Sequence, residues 1–570
     1  MAGSKWVTWT TWLVACVSYL VLVFVSHRSG GGGGGGPEAR DHPARFFFNF
    51  TLNTGKAVVR KGAIVSNALG DILDVGEEAG VRERLKGSVI EAVDLEGKYV
   101  FPGLVDAHAH LIMGGSFLSQ LDLRDATSRA DFIERVRDRA ANLEPGAWLI
   151  GYGFDERKLG EMPNAGWISQ ATPDNPVLIL RADGHRALVN FYLLAMANIT
   201  SRPDPLGGKI ERDAGGSPTG ILTDTAIAMV RSLQPKPSKG ERKDSIMKAM
   251  AYANSMGVTM VSDMGTPAFA QSADECWSDL VDVWMEIAAQ DELTLRVQTC
   301  VPLDLYDSLA SFVEKNGDSL GMLSWGCVKE FYDGSLGSET ALMNEPYEGT
   351  TNRGLRIHED RAVLQERLAN ATGRGLQAIV HAIGDLAVDE ASAILSAAGS
   401  RSKNPNRLEH VQHVSGSGAL DRIRDAEIYA VVNPLHIQDD ARTMLEKLGS
   451  VRSGKGRSFP FKSMLDRGVK IAFGSDWPLV APLDPLGSLL ESTSGRRHVP
   501  EEAVSREQGF RAITSNAAEA AGAKGLVGRL QKGQKCDFVV LDRDLLEVEE
   551  KPVVLHTFVN GVCRYSRRDI

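Results

Sequence analysis

The sequence predicts an α/β chain: a (β/α)8 TIM barrel, a small composite β-sandwich domain drawn from both termini, and an insertion after the first barrel strand. Three observations predict it. Short alternating apolar segments lie at both ends of the folded part, eight apolar runs separated by helix-like stretches fill the middle, and the first two runs stand far apart.

Residues 1–6 form a short N-terminal segment. Residues 7–25 (VTWTTWLVACVSYLVLVFV) carry no charge. At about 1.5 Å per residue they just reach across a hydrocarbon core of roughly 30 Å. Trp6, Trp9 and Trp12 crowd one end, where amphipathic rings favour the interface. The expectation is a single-pass membrane anchor of the endomembrane or secretory pathway. A cleaved signal sequence with Lys5 as its basic region is the alternative, although no small-x-small site precedes Ser26-His27-Arg28. Orientation stays open. Arg28, Arg40 and Arg45 outnumber Lys5 and favour a cytosolic main domain, whereas the sequons at Asn49, Asn198 and Asn370 point weakly to the lumen. Residues 26–45 form a linker, and its glycine run Gly30–Gly36 reads as a flexible tether.

Residues 46–98 and 523–570 read as one composite β domain. KAVVRKGAIVS, DILDVG and VIEAVDL at one end, and KCDFVVLDRD and PVVLHTFVNGVCRY at the other, alternate apolar positions between Gly and Asp turns. Residues 99–522 then hold the barrel. Its runs are 99–110, 257–265, 295–303, 325–334, 376–385, 407–413, 428–436 and 469–478. Continuous Val/Ile/Leu runs alternating with amphipathic helices imply a parallel sheet. The gap from 110 to 257 requires an inserted subdomain, about 119–240, with its own strand candidates AWLIGYGFD and PVLILRADG.

Composition narrows the function. With 63 Lys plus Arg against 73 Asp plus Glu, the net charge is −10, which argues against a nucleic-acid partner. The 43% hydrophobic and 24% charged content excludes wholesale disorder. Six cysteines without a C-x-x-C pair exclude a Cys-based zinc site, and the five outside the anchor suggest free thiols.

The chemistry gathers where the apolar runs end. His108 and His110 are two apart in a strand, so both face one way. Lys329 lies in run four, His381 in run five, His410 and His413 in run six, and Asp476 in run eight. Strand ends of a barrel converge on one mouth, so residues far apart in sequence can share a site. Imidazoles and a carboxylate suit a catalytic divalent metal, most plausibly Zn²⁺. Any one of these histidines alone is better explained as a hydrogen-bonded core residue.

FPGLVDAHAH, VKEFYDGSLGSETA, VHAIGD, RLEHVQH and FGSDWPL resemble the amidohydrolase superfamily. The long insertion, DGHRALVN and HAIGD resemble its YtcJ-like (amidohydrolase 3) branch, and within it the plant LAF-three-like proteins. The resemblance spans roughly residues 55–565. It implies His108, His110, His381 and His410 as metal ligands, with Asp476 as ligand and general base. Lys329 stands where two-metal members carry a bridging carboxylated lysine; the competing reading pairs it with Asp333 or Glu330. His413 becomes a pocket group. Asp183, His185, Arg186 and Asn190 of the insertion resemble residues that approach substrate, although a hydrogen-bonded turn explains them equally well. Trp477 is a pocket or core residue, and Tyr332, Asp333 and Glu339 are weaker candidates.

The expected activity is metal-dependent hydrolysis of a non-peptide C–N bond in a small-molecule amide, cyclic amide or formamide, using one or two metal ions. The alternatives are other chemistry on the same fold, such as deamination or isomerisation, and a binding or signalling protein without turnover. Substrate identity and oligomeric state stay open.

Overall fold

The computed structural model describes residues 44–54, 57–85, 90–181, 186–205, 208–266, 272–494 and 499–567. The expected anchor at 7–25 and the glycine run lie outside the described residues. Among the described residues no helix is long and apolar enough to cross a membrane.

The chain forms two compact units, Ile112–Lys248 and the remainder. The larger unit is built on eight parallel strands: β1 (Leu104–Ala109), β2 (Val258–Asp263), β3 (Arg296–Pro302), β4 (Leu323–Phe331), β5 (Gln377–Ala382), β6 (Arg407–His410), β7 (Tyr429–Val432) and β8 (Ile471–Phe473). Each pairs with the next in sequence, as expected for a (β/α)8 barrel. The last seam runs through the segment after β8. The Asp476 N–H donates to the His108 carbonyl (2.7 Å) and the His110 N–H to the Trp477 carbonyl (2.8 Å). Ala109 and Trp477 form a parallel bridge there. Strands β1, β2 and β5 are buried at every position, because helices cover one face and the barrel interior the other.

Helices return the chain between strands. The helix Arg361–Gly373, between β4 and β5, starts at Asp360, whose carboxylate accepts the Ala362 and Val363 N–H groups. That satisfies donors a helix start otherwise leaves free. Near the C-terminus, Ala517, Ala518, Ala520 and Ala521 pack in one cluster with Val105, Ala107, Met260, Tyr429, Val431 and Ala472.

The two chain ends meet in one eight-stranded sheet. N-terminal strands from Ala44–Asn53 to Tyr99–Pro102 join C-terminal strands Phe538–Leu541, Val554–Val559 and Val562–Ser566. Its core includes Phe47, Phe538 and Phe558, with ring centroids 4.5 to 5.2 Å apart. The first apolar run, 99–110, is divided between two sheets. Tyr99–Pro102 pairs antiparallel with Phe538–Leu541, and only Leu104–Ala109 enters the barrel. The division falls at Gly103, where a Cβ would lie 2.1 Å from Thr259 Oγ1, so only glycine lets the backbone pass this close to β2.

One expectation is corrected here. Cys300 and Cys327 are Cα partners on β3 and β4, 4.8 Å apart, and form a disulfide. Their separation of 27 residues carries no such signal; only the parallel register reveals it. Cys276 and Cys536 are buried thiols.

The smaller unit has its own six-stranded sheet, which contains both expected strands as Leu149–Phe154 and Val177–Arg181. Two apolar clusters fill it, one around Phe132, Phe154 and Trp167, the other around Leu193, Ile210 and Leu222.

Candidate metal centre

The floor of the site begins on β1, where Asp106, His108 and His110 alternate and are all buried. Asp106 Oδ1 accepts the N–H groups of His108 (3.1 Å) and Ser475 (3.0 Å), which ties the segment after β8 to β1. Burial pushes its carboxyl up to about 6. A Cβ at Gly474 would sit 2.5 Å from the His108 Cβ, so glycine is required for this approach. Asp476 follows with φ 57°, and His410 ends β6 with φ 73°. Two candidate ligands thus sit in the left-handed region that costs non-glycine residues energy, as residues at functional sites often do.

Each imidazole is braced by a specific partner. His108 Nδ1 lies 2.5 Å from Glu409 Oε2. Arg407 holds that carboxylate by two hydrogen bonds of 2.9 Å and also donates to Ser262 and the Ala107 carbonyl. Burial alone would raise the pKa of Glu409, but the charges of Arg407 and His108 outweigh it and hold it at about 2. His110 Nδ1 donates to the Gly265 carbonyl (2.5 Å). His410 Nδ1 meets Asn433 Oδ1 (2.8 Å), while the Asn433 amide donates to the Gly474 carbonyl. Fixing Nδ1–H in this way leaves each Nε2 lone pair facing inward. His381 is braced the other way round, its Nε2 donating to the Gly334 carbonyl (3.1 Å), with Asp333 Oδ1 at 3.6 Å.

These lone pairs converge on Asp476. Its Oδ1 lies 3.3 Å from His108 Nε2 and 3.2 Å from His110 Nε2. Rings bridge the remaining gap: His108 to His410 at 5.0 Å and His410 to His381 at 4.4 Å between centroids. Burial opposes charge on Asp476, yet His108 and His110 hold it well below the usual carboxylate range. Burial, then the Lys329 charge, pushes His381 down to about 3; burial likewise drives His410 well below its ordinary value. Imidazole nitrogens and a carboxylate gathered this closely are the donors a divalent cation takes. The donor set therefore fits a divalent metal, with His108, His110 and Asp476 as one group able to hold it.

Lys329 projects from β4 with its Nζ buried and without a hydrogen-bond partner among the described residues, 5.1 Å from the Phe331 ring centroid. Burial pushes its amine down to about 8. Glu330 faces His358 instead (3.3 Å), and Asp333 accepts the N–H groups of Leu342, Ile383 and Gly384, so neither pairs with Lys329.

Sequence reasoning passed over one residue. His436 closes the seventh apolar run, IYAVVNPLH, four residues beyond β7, where it opens the helix His436–Arg452. It is 3% exposed, faces the Ser475 backbone, and lies 3.9 Å from Asp476 Oδ2. His410, His436 and Asp476 form a second group able to hold a cation.

The remaining candidates separate. His413 is buried, with Nδ1 on Ser458 Oγ (2.7 Å) and Nε2 without a partner among the described residues. Trp477 is buried in the barrel seam, its ring 5.3 Å from that of Tyr252. Tyr332 donates to Glu390, and Glu339 pairs with Lys447. Asp183 and His185 lie outside the described residues. Arg186 lies 3.9 Å from Glu156. Asn190 is fully committed inside its own unit. Its amide donates to Thr172 O, Thr172 Oγ1 and Asn175 O, and its Oδ1 accepts from Val177 and Leu193. Its geometry is that of a structural brace rather than a substrate contact.

Comparison with known proteins places the chain. The amidohydrolase family (Amidohydro_3) matches residues 91–565. The chain is 36% identical to Protein LONG AFTER FAR-RED 3 of Arabidopsis thaliana over 87% of each chain. It is 28% identical to the putative amidohydrolase YtcJ of Bacillus subtilis, over 87% of this chain and 95% of that one. It is 25% identical to the N-substituted formamide deformylase of Arthrobacter pascens, over 87% and 94%. An uncharacterised metal-dependent hydrolase from Pyrococcus furiosus superposes with a TM-score of 0.72 at 26% identity, covering 88% of this chain and all of that one. With its ordered motifs, its barrel and a match over most of its length, the chain belongs to the amidohydrolase family, in a YtcJ-like branch that includes a plant relative.

Proposed function

We propose that this protein is a metal-dependent hydrolase that cleaves a non-peptide carbon–nitrogen bond in a small amide, cyclic amide or formamide. The observation that carries this reading is the convergence of two braced imidazoles, His108 and His110, on one buried oxygen of Asp476. The Arthrobacter relative is an N-substituted formamide deformylase, which supports the bond type.

A divalent metal such as zinc, when bound, would make water acidic enough to lose a proton near neutral pH. His108, His110 and His410, with Asp476, would hold it, and Lys329 and His381 stand beside them. Asp476, ionised and buried, accepts the proton of the attacking water and returns it to the leaving nitrogen. Glu409 keeps His108 in the tautomer the centre needs. Elemental analysis of the full-length protein, with a screen of N-formyl and N-acyl amines, tests the reading. It expects one or two zinc equivalents, and hydrolysis lost on chelation and regained with zinc. Well-folded, metal-free protein would overturn it.

We also infer that residues 7–25 tether the enzyme to an endomembrane. The buried disulfide favours an oxidising compartment, and Asn198 and Asn370 are exposed sequons. A mobility shift on endoglycosidase treatment of carbonate-resistant membranes is expected; an unshifted protein in the soluble fraction refutes the tether.

A further inference from the structure

We infer that the end of the composite sheet at which the chain enters is a membrane-docking face, and that its partner is a bilayer carrying anionic headgroups. This rests on the tether proposed above and goes beyond it in naming the part of the fold that lies on the lipid.

Sequence and pairing assemble the face. Residues 524–535 (KGLVGRLQKGQK) hold Lys524, Arg529, Lys532 and Lys535 and no acidic residue, in a chain whose net charge is −10. The strand Ala44–Asn53 opens the sheet, and its Arg45 pairs with Ser66 of the neighbouring strand Val58–Ser66. The turn after Ser66 carries Leu69, and the basic segment is fastened to it. The Lys535 side chain donates to the Leu69 carbonyl (3.1 Å) and pairs with Asp71 (2.7 Å). The Cys536 N–H donates to the Gly70 carbonyl (2.7 Å), and the Lys535 N–H to the Leu526 carbonyl (2.8 Å). Arg45 itself donates to the Gly561 carbonyl (3.2 Å), and the Gly561 N–H to the Cys536 carbonyl (2.7 Å). Chain entry, the Leu69 turn and the basic segment thus share one end of the sheet.

Local packing turns the binding groups outward. Val527 is buried in the alanine cluster and Leu530 packs against the sheet core around Phe47, which leaves Leu526, Arg529 and Lys532 facing solvent. Leu69 is 70% exposed, Leu73 44% and Leu526 39%. Lys524 is paired with Glu519 and Lys535 with Asp71, whereas Arg529 and Lys532 have no ion-pair partner among the described residues. Exposed leucines rimmed by unpaired cations suit a bilayer surface: the leucines enter the boundary between headgroups and acyl chains, and the cations meet anionic headgroups. Position selects this partner. Residues 26–43 separate Ala44 from the expected anchor at 7–25. A glycine-rich chain of that length is expected to span about 20–25 Å, which holds this end of the sheet closest to the lipid.

The test uses the full-length protein reconstituted in nanodiscs of phosphatidylcholine, alone or mixed with phosphatidylserine, with backbone hydrogen exchange read by mass spectrometry. Peptides covering 66–73 and 524–535 are expected to exchange more slowly in the phosphatidylserine discs. The double variant Arg529→Gln/Lys532→Gln, and high salt on wild type, are expected to abolish that difference while the barrel strands exchange as before. Equal exchange in both lipids, or slowing that survives the double variant, overturns the inference and leaves the tether standing. A chain that separates from the discs overturns the tether, and is then floated with phosphatidylserine vesicles. Partitioning that weakens about 30-fold in the double variant, for two charges removed, sustains the face without the tether. No flotation, or flotation that the double variant retains, overturns both.

Discussion

Asn190 and Asp476 are both buried and polar, and both are held by hydrogen bonds, yet the bonding differs in kind. Around Asn190 every donor and acceptor has a partner within its own unit. Around Asp476 the bracing hydrogen bonds reach the outer nitrogens, while the inner nitrogens of His108 and His110 both crowd one carboxylate oxygen. They fix the far side of each imidazole and leave the near side facing a carboxylate. A closed network lowers the energy of one fold, whereas an open one, held rigid from behind, is a receptor for something absent from the polypeptide. Burial and residue type do not separate the two cases; the direction of the remaining lone pairs does.

Four substitutions sharpen or break this contrast. The largest effect is expected for Asp476→Asn. Turnover should fall about 10²- to 10⁴-fold, the usual worth of a positioned base, while the amide oxygen retains at least one equivalent of metal. Near-normal turnover would show that Asp476 is not the base. Next, Glu409→Gln removes the negative charge that fixes His108 and pairs with Arg407. Metal affinity, measured by competition with a chelator, should weaken about 10- to 100-fold. Unchanged affinity would mean that Arg407 and Glu409 serve only the barrel floor. On the closed side of the comparison, Asn190→Ala should lower stability in urea by about 2–3 kcal/mol by stranding buried donors and acceptors, with metal content untouched. Loss of metal in that variant would break the contrast. The smallest effect is expected for Asp360→Ala, which uncaps the helix before β5 at about 1 kcal/mol, read as a small shift in urea midpoint at constant stoichiometry.

Much of the centre was legible in the amino-acid order because its parts obey strong local rules. The spacing of His108 and His110 places both on one strand face, and runs ending in His381, His410 and Asp476 mark strand ends. His436 ends the seventh run, so position within a run, and not motif strength, is the signal that marks it as a candidate. For Asn190 the sequence leaves two readings, because an asparagine that caps a helix and braces a loop looks the same in one dimension as one that meets a ligand; its contacts are those of the hydrogen-bonded turn. The Cys300–Cys327 disulfide was hidden for a related reason, since pairing across parallel strands depends on register between segments joined by a long crossover.

The sequence alone determined the order of strands and helices, the composite sheet of the two ends and the set of donors at the strand ends, because period, turn chemistry and residue type act over a few neighbours. Tertiary structure alone decided where the first apolar run divides at Gly103, which ring nitrogen each histidine turns inward, and that Asp476 presents separate oxygens to two pairs of imidazoles. Those outcomes depend on distances between atoms far apart along the chain, and closure of the barrel sets them.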